Sequence, residues 1–71
     1  MSLYEGKEND TYKISDITTA DEEFRAFLLS LGCYQGESIT IISRRKHSMV
    51  VAVKDGRYNI DNDIAKLIGV A

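Results

Sequence analysis

Apolar and polar positions recur along this chain at spacings that mark off short elements. Phe24, Phe27, Leu28 and Leu31 stand at i, i+3, i+4 and i+7, so they line one face of an amphipathic helix. Gly32 follows directly, where a left-handed helix stop costs nothing without a Cβ, and Gly36 permits a tight turn into the next element. Before the helix, Tyr12 and Ile14 share one side of a strand over residues 12–17. Ile17 breaks the alternation, which marks a bulge or strand end. Residues 1–11 are polar and weakly patterned, with Leu3 and Tyr4 their apolar members, and read as a frayed segment or a first edge strand. Thr19-Ala20-Asp21-Glu22 has the Thr-x-x-Glu form of a capping box, followed by Glu23, so acids crowd the positive end of the helix dipole. Helix-start chemistry explains every one of these carboxylates, and it is preferred over a metal-binding cluster.

After Gly36 the pattern changes to β. Ser38-Ile39-Thr40-Ile41-Ile42 is a β-branched run suited to a pleated strand. The polar stretch Ser43–Ser48 reads as a loop. Met49–Val53 is apolar on both faces, as a central strand is. Asp55-Gly56 before Arg57–Ile60 is a two-residue hairpin signal. Asp61-Asn62-Asp63 then offers N-caps to one helical turn in which Ile64, Leu67 and Ile68 share a face, with Gly69 ending it and Val70 left as a short strand. Strand, helix, three strands, helical turn and short strand together predict a mainly β fold with short helices. The simplest architecture is a small SH3-like barrel, with one helix inserted between its first two strands, that buries both helical faces. Residues 1–71 form a single domain without repeat or linker.

Composition narrows the function classes. The formal net charge of −2 argues against a role that rests mainly on nucleic-acid phosphates. The longest apolar run, Met49–Val53, is far short of a membrane span, and the first residues carry no signal-peptide h-region. With a single cysteine, these features predict a cytoplasmic protein.

Three segments carry a family resemblance. Leu31-Gly32-Cys33-Tyr34-Gln35-Gly36-Glu37 is similar to the Leu-Gly-apolar-x-x-Gly segment of the ferrous iron transport protein A (FeoA) family. Val50–Gly56 resembles its valine-rich strand and turn, and Ala65-Lys66-Leu67-Ile68-Gly69-Val70 its closing Ala-x-x-Ile-x-Val signature. The likeness covers residues 12–70. It departs at Gln35, where the family usually has Pro, in the loop Arg44–His47, and at Asp61, where a basic residue is frequent. The resemblance implies a bacterial SH3-like accessory protein of ferrous iron uptake. It would act with the membrane transporter FeoB, which carries a cytosolic GTP-binding domain, and so stand beside the inner face of the membrane. It also extends to the SH3-like module of iron-dependent transcriptional repressors.

The chemistry read from the residues is that of a surface. Catalysis needs a nucleophile or base beside an orienting group, and no such constellation or phosphate-binding loop is present, so an enzyme is not expected. Cys33 reads as a small buried hydrophobe. A ferrous site wants two or three convergent His or carboxylate ligands. The lone His47 and the capping pair Asp61 and Asp63 do not indicate one, so no cofactor is implied, though the resemblance leaves iron binding open. Arg44-Arg45-Lys46-His47 is the one concentrated charge feature. It reads first as a solvated loop that deters edge pairing, and second as a contact for an acidic surface on the transporter's cytosolic domain or anionic lipid beside it. Tyr34, between the two glycines, is the matching aromatic anchor if it is exposed, with core packing as the other reading. These five residues are the expected partner contacts. The alternative class is a nucleic-acid-binding small barrel using the basic loop and Tyr58, which the acidic balance disfavours. Self-association through a free edge is a further expectation.

Overall fold

The β-branched and alternating runs become five strands in the computed structural model, which describes residues 1–71. They are β1 (Thr11–Ile17), β2 (Ser38–Arg44), β3 (Ser48–Val53), β4 (Gly56–Asp61) and β5 (Ile68–Val70), in one antiparallel sheet of order β4-β3-β2-β1-β5. Helix α1 (Glu22–Leu31) is inserted between β1 and β2, and α2 (Asn62–Ala65) is a single turn between β4 and β5. β3 pairs on both sides, and one of its faces, Met49, Val51 and Val53, is fully buried while Val50 and Ala52 on the other are half-buried.

Two register shifts bend this sheet. β1 gives Thr11–Lys13 to β2 and Ile14–Ile17 to β5, with Ser15 as the extra residue between the Ile14 and Asp16 pairings. β2 has Ile42 as its extra residue against β3. An unpaired residue in one strand raises the local twist, and the sheet curls around an aliphatic core. Ile14, Ile39, Ile41, Val51 and Val53 point inward from three strands, joined by Leu28 from α1 and Ile68 from β5.

The structure corrects several expectations. Residues 1–11 neither fray nor form an edge strand. Leu3–Glu5 is a 3₁₀ turn, Leu3 is fully buried, and Ser2 bridges to Gly69. One buried leucine outweighs the polar company it keeps. The helix cap is Asp21, not Thr19: its Oδ1 accepts from the Glu23 N–H at 2.9 Å and the Phe24 N–H at 3.4 Å. Thr19 instead accepts the Asp21 N–H at 3.1 Å through Oγ1, which sets up the cap rather than forming it. The hairpin tip is Lys54-Asp55, because Val53 pairs with Gly56, and Lys54 takes the positive φ of 54°. The last helical turn is shorter than its apolar spacing suggested. Ile68 and Gly69 belong to β5, where Gly69 pairs with Asp16. The apolar face of the inserted helix is buried only in part: Leu28 alone is fully enclosed, and Phe24 and Phe27 stay exposed.

Candidate functional site

β2 runs on to Arg44 and β3 begins at Ser48, so the basic loop contracts to a tight turn at Arg45-Lys46-His47. Two bonds from the closing helical turn hold its backbone. The Asn62 side-chain amide donates to the Lys46 carbonyl at 3.1 Å, and the Asn62 N–H to the His47 carbonyl at 3.0 Å. The three side chains are exposed and make no ion pair. Arg44 is placed differently. Its Nη1 donates to the Tyr4 and Gly6 carbonyls, both at 2.8 Å, and its N–H donates to the Glu8 carboxylate at 2.7 Å. The guanidinium also lies over the Tyr4 ring, 5.4 Å from its centroid, so this residue ties the N-terminal turn to the sheet.

Lys46 and His47 line a shallow polar hollow with Tyr4, Asp61, Asp63 and Lys66. Lys66 stands 4.8 Å over the Tyr4 ring and 3.9 Å from Asp63. Two ammonium groups here oppose a cation, and no three His, Cys, Asp or Glu side chains in the chain are placed to hold a metal ion together.

Tyr34 is half exposed, and it does not join the basic turn. α1 ends at Gly32 (φ 102°), the chain turns again at Gly36 (φ 89°), and Tyr34 stands between them. It lines a separate hollow with Leu31, Lys54 and Tyr58. Lys54 Nζ meets the Glu37 carboxylate at 2.8 Å, and this hydrogen-bonded pair raises the lysine's pKa. Cys33, one residue away, is buried among aliphatics, and desolvation pushes its thiol up to about 11.

Sequence reasoning missed a third surface. Phe24 and Phe27, on the apolar face of the helix that the fold was expected to bury, are each 44% exposed. With Ile64 of α2 they form an open apolar cleft bordered by Asp21 and Glu23. It continues over Leu67 toward Asp61 and Asp63. The apolar spacing showed that the helix has a face but not what lies opposite it. The signal that could have pointed here was the pairing of two acidic helix starts, 21–23 and 61–63, with two aromatic residues in a chain that has no other phenylalanine.

A family model described as the FeoA domain matches residues 1–71. Among solved structures, FeoA of Stenotrophomonas maltophilia in complex with zinc is similar at a TM-score of 0.90 and 20% identity, covering 100% of this chain and 89% of that one. That protein is described as a prokaryotic SH3 domain protein and a candidate activating factor of bacterial ferrous iron transport. An iron uptake regulatory protein (FeoA) is similar at a TM-score of 0.88 and 21% identity, over 99% of this chain and 93% of that one. A manganese-dependent transcriptional repressor in complex with manganese is similar at 0.90 and 22% identity, but this chain spans only 35% of it. At these identities the likenesses show the fold, which is SH3-like. No curated protein matches the sequence.

Proposed function

The chain belongs to the FeoA family, and from that premise we propose that it is an accessory protein of ferrous iron uptake that docks on the cytosolic domain of a FeoB-type transporter. The observation that carries this reading is the family match over the whole chain. The surface chemistry supports it. Arg45, Lys46 and His47 stand together at one exposed turn held rigid by Asn62, which presents positive charge to an acidic patch of a partner without first having to order a loop. Tyr34 adds a half-exposed ring on a glycine-bounded turn, an amphipathic anchor with little rotamer entropy to lose.

The reading gives the chain no catalytic step. Its one thiol is buried and held protonated, and the side chains at each hollow are those of contact rather than proton transfer. No helix is long and apolar enough to cross a membrane, so in this proposal the transporter brings the chain to the cytoplasmic face of the membrane. The reading routes nothing through a bound metal.

The test is to titrate the labelled chain with the transporter's cytosolic domain and follow amide chemical shifts. Shifts at Arg45–His47 and around Tyr34 are expected. Arg45→Glu with Lys46→Glu is expected to weaken binding roughly tenfold or more, since it sets like charges against an acidic patch. Absence of binding at about 100 μM, where even a weak transient contact of several kcal/mol registers, overturns the proposal.

A further inference from the structure

We infer that the cleft between α1 and α2 is a docking groove for a basic amphipathic helix of a protein partner. The apolar side of that helix would lie on Phe24, Phe27 and Ile64, and its lysines or arginines would face the carboxylates at the rim. The inference rests on the docking reading above and deepens it by assigning the partner a chemistry and this chain a second face.

The groove exists because α1 is anchored at one end. Leu28 is fully buried, Leu31 packs partly against the core, and Gly32 stops the helix there, so the first turns are left largely exposed. Phe24, one turn before Leu28, and Phe27 beside it therefore keep 44% of their surface in water. Both phenylalanines of the chain are spent on this surface, while the core is built from aliphatics. Two exposed rings with an isoleucine opposite form a groove of the kind that takes helix anchors at i, i+3 or i+4.

The rim selects the occupant. Asp21, Glu23, Asp61 and Asp63 border the cleft, and no lysine or arginine lines it. Asp21 and Asp61 use Oδ1 to cap their helices, which leaves Oδ2 of each without a partner in the chain. Two cations stand beside the rim residues rather than in the cleft. Lys66 stands 3.9 Å from Asp63, and Arg25 donates to the Thr19 carbonyl at 2.6 Å. A second copy of the chain placed symmetrically on the cleft would set the same carboxylates against each other, and an anionic lipid surface or a nucleic acid would be repelled. A helix with apolar residues on one side and positive charge along its borders satisfies both parts of the surface.

The probe is a leucine–lysine peptide of about 18 residues patterned as an amphipathic helix, with the same peptide carrying glutamate for lysine as its counterpart. Added to the labelled full chain, the lysine peptide is expected to shift Phe24, Phe27 and Ile64, and the glutamate peptide to bind at least about tenfold more weakly. Glu23→Lys, an exposed position outside both caps, is expected to weaken the lysine peptide several-fold. The double variant Phe24→Ser with Phe27→Ser is expected to abolish binding while the amide spectrum stays folded. Shifts elsewhere, equal binding of the two peptides, or a dimer in sedimentation that closes over the cleft each overturn the inference. The transporter's cytosolic domain separates this inference from the docking reading. If it binds wild type and Glu23→Lys alike, the groove is refuted and the docking reading stands. If it binds neither while the lysine peptide behaves as expected, docking on that transporter is refuted and the groove stands.

Discussion

Cys33 shows how one side chain can be read from its neighbours. It follows the helix-stopping glycine, where the chain dives back under the sheet, and it is 2% exposed. Burial pushes the thiol from 9.0 to about 11, so the fold favours the protonated form. The sign follows from proton binding. Below pH 9 both folded and unfolded chains hold the proton, and the stabilisation is complete; between 9 and 11 only the folded chain holds it, so stability falls as pH rises. The unfolding free energy from denaturant titrations is expected to decline across that window by an amount reaching about 3 kcal/mol, and this component is expected to vanish in Cys33→Ala. An exposed-thiol reagent at pH 8 is expected to react only after denaturant is added. Arg44 is the opposite case. In the sequence it is one of three adjacent cations, and nothing local distinguishes it from Arg45. Its guanidinium is committed because the Tyr4 and Gly6 carbonyls, 40 and 38 residues away, arrive beside it.

That commitment shapes an element. The 3₁₀ turn Leu3–Glu5 is too short to hold itself, and it stays because Leu3 is enclosed and Arg44 clasps the Tyr4 carbonyl within it and the Gly6 carbonyl just after it. Arg44→Met keeps most of the stem and removes both charge-assisted bonds. We expect a loss of about 1–3 kcal/mol in chemical denaturation, with faster hydrogen exchange at the Gly6 amide, which donates to Leu3 at 2.9 Å. Unchanged exchange at Gly6 would show that Leu3 alone fixes the turn. Strands were the most legible elements, since period-two alternation and β-branched runs report the pleat directly. Element ends were less so. The hairpin tip moved from Asp55-Gly56 to Lys54-Asp55 because the β3–β4 register pairs Val53 with Gly56. The cap moved from Thr19 to Asp21 because, of two candidate caps two residues apart, the helix begins at the later one.

At the scale of the molecule, charge gathers unevenly. The net charge is only −2, yet the α1–α2 cleft is bordered by carboxylates and the Arg45–His47 turn is basic. α2 stands between them, with Asp61 and Asp63 touching the hollows on both sides. A partner that pairs an acidic patch with a basic amphipathic helix would meet both faces. Each contact would be made by exposed groups, so affinity for the transporter's cytosolic domain is expected to fall steadily as salt rises from about 0.05 to 0.5 M. A salt-independent affinity would mean that neither charged face takes part.

The order of strands and helices, the glycine-bounded turns, the central place of β3 and the aliphatic fate of Cys33 were determined by the sequence itself. Each depends on spacing or backbone freedom within a few residues. Tertiary structure alone decided that Leu3 is core while Phe24 and Phe27 are surface, that Arg44 is a clasp, and that two acidic helix starts border one apolar cleft. Whether an apolar residue is buried depends on what lies opposite it, and here the opposing groups come from parts of the chain that only the curled sheet brings together.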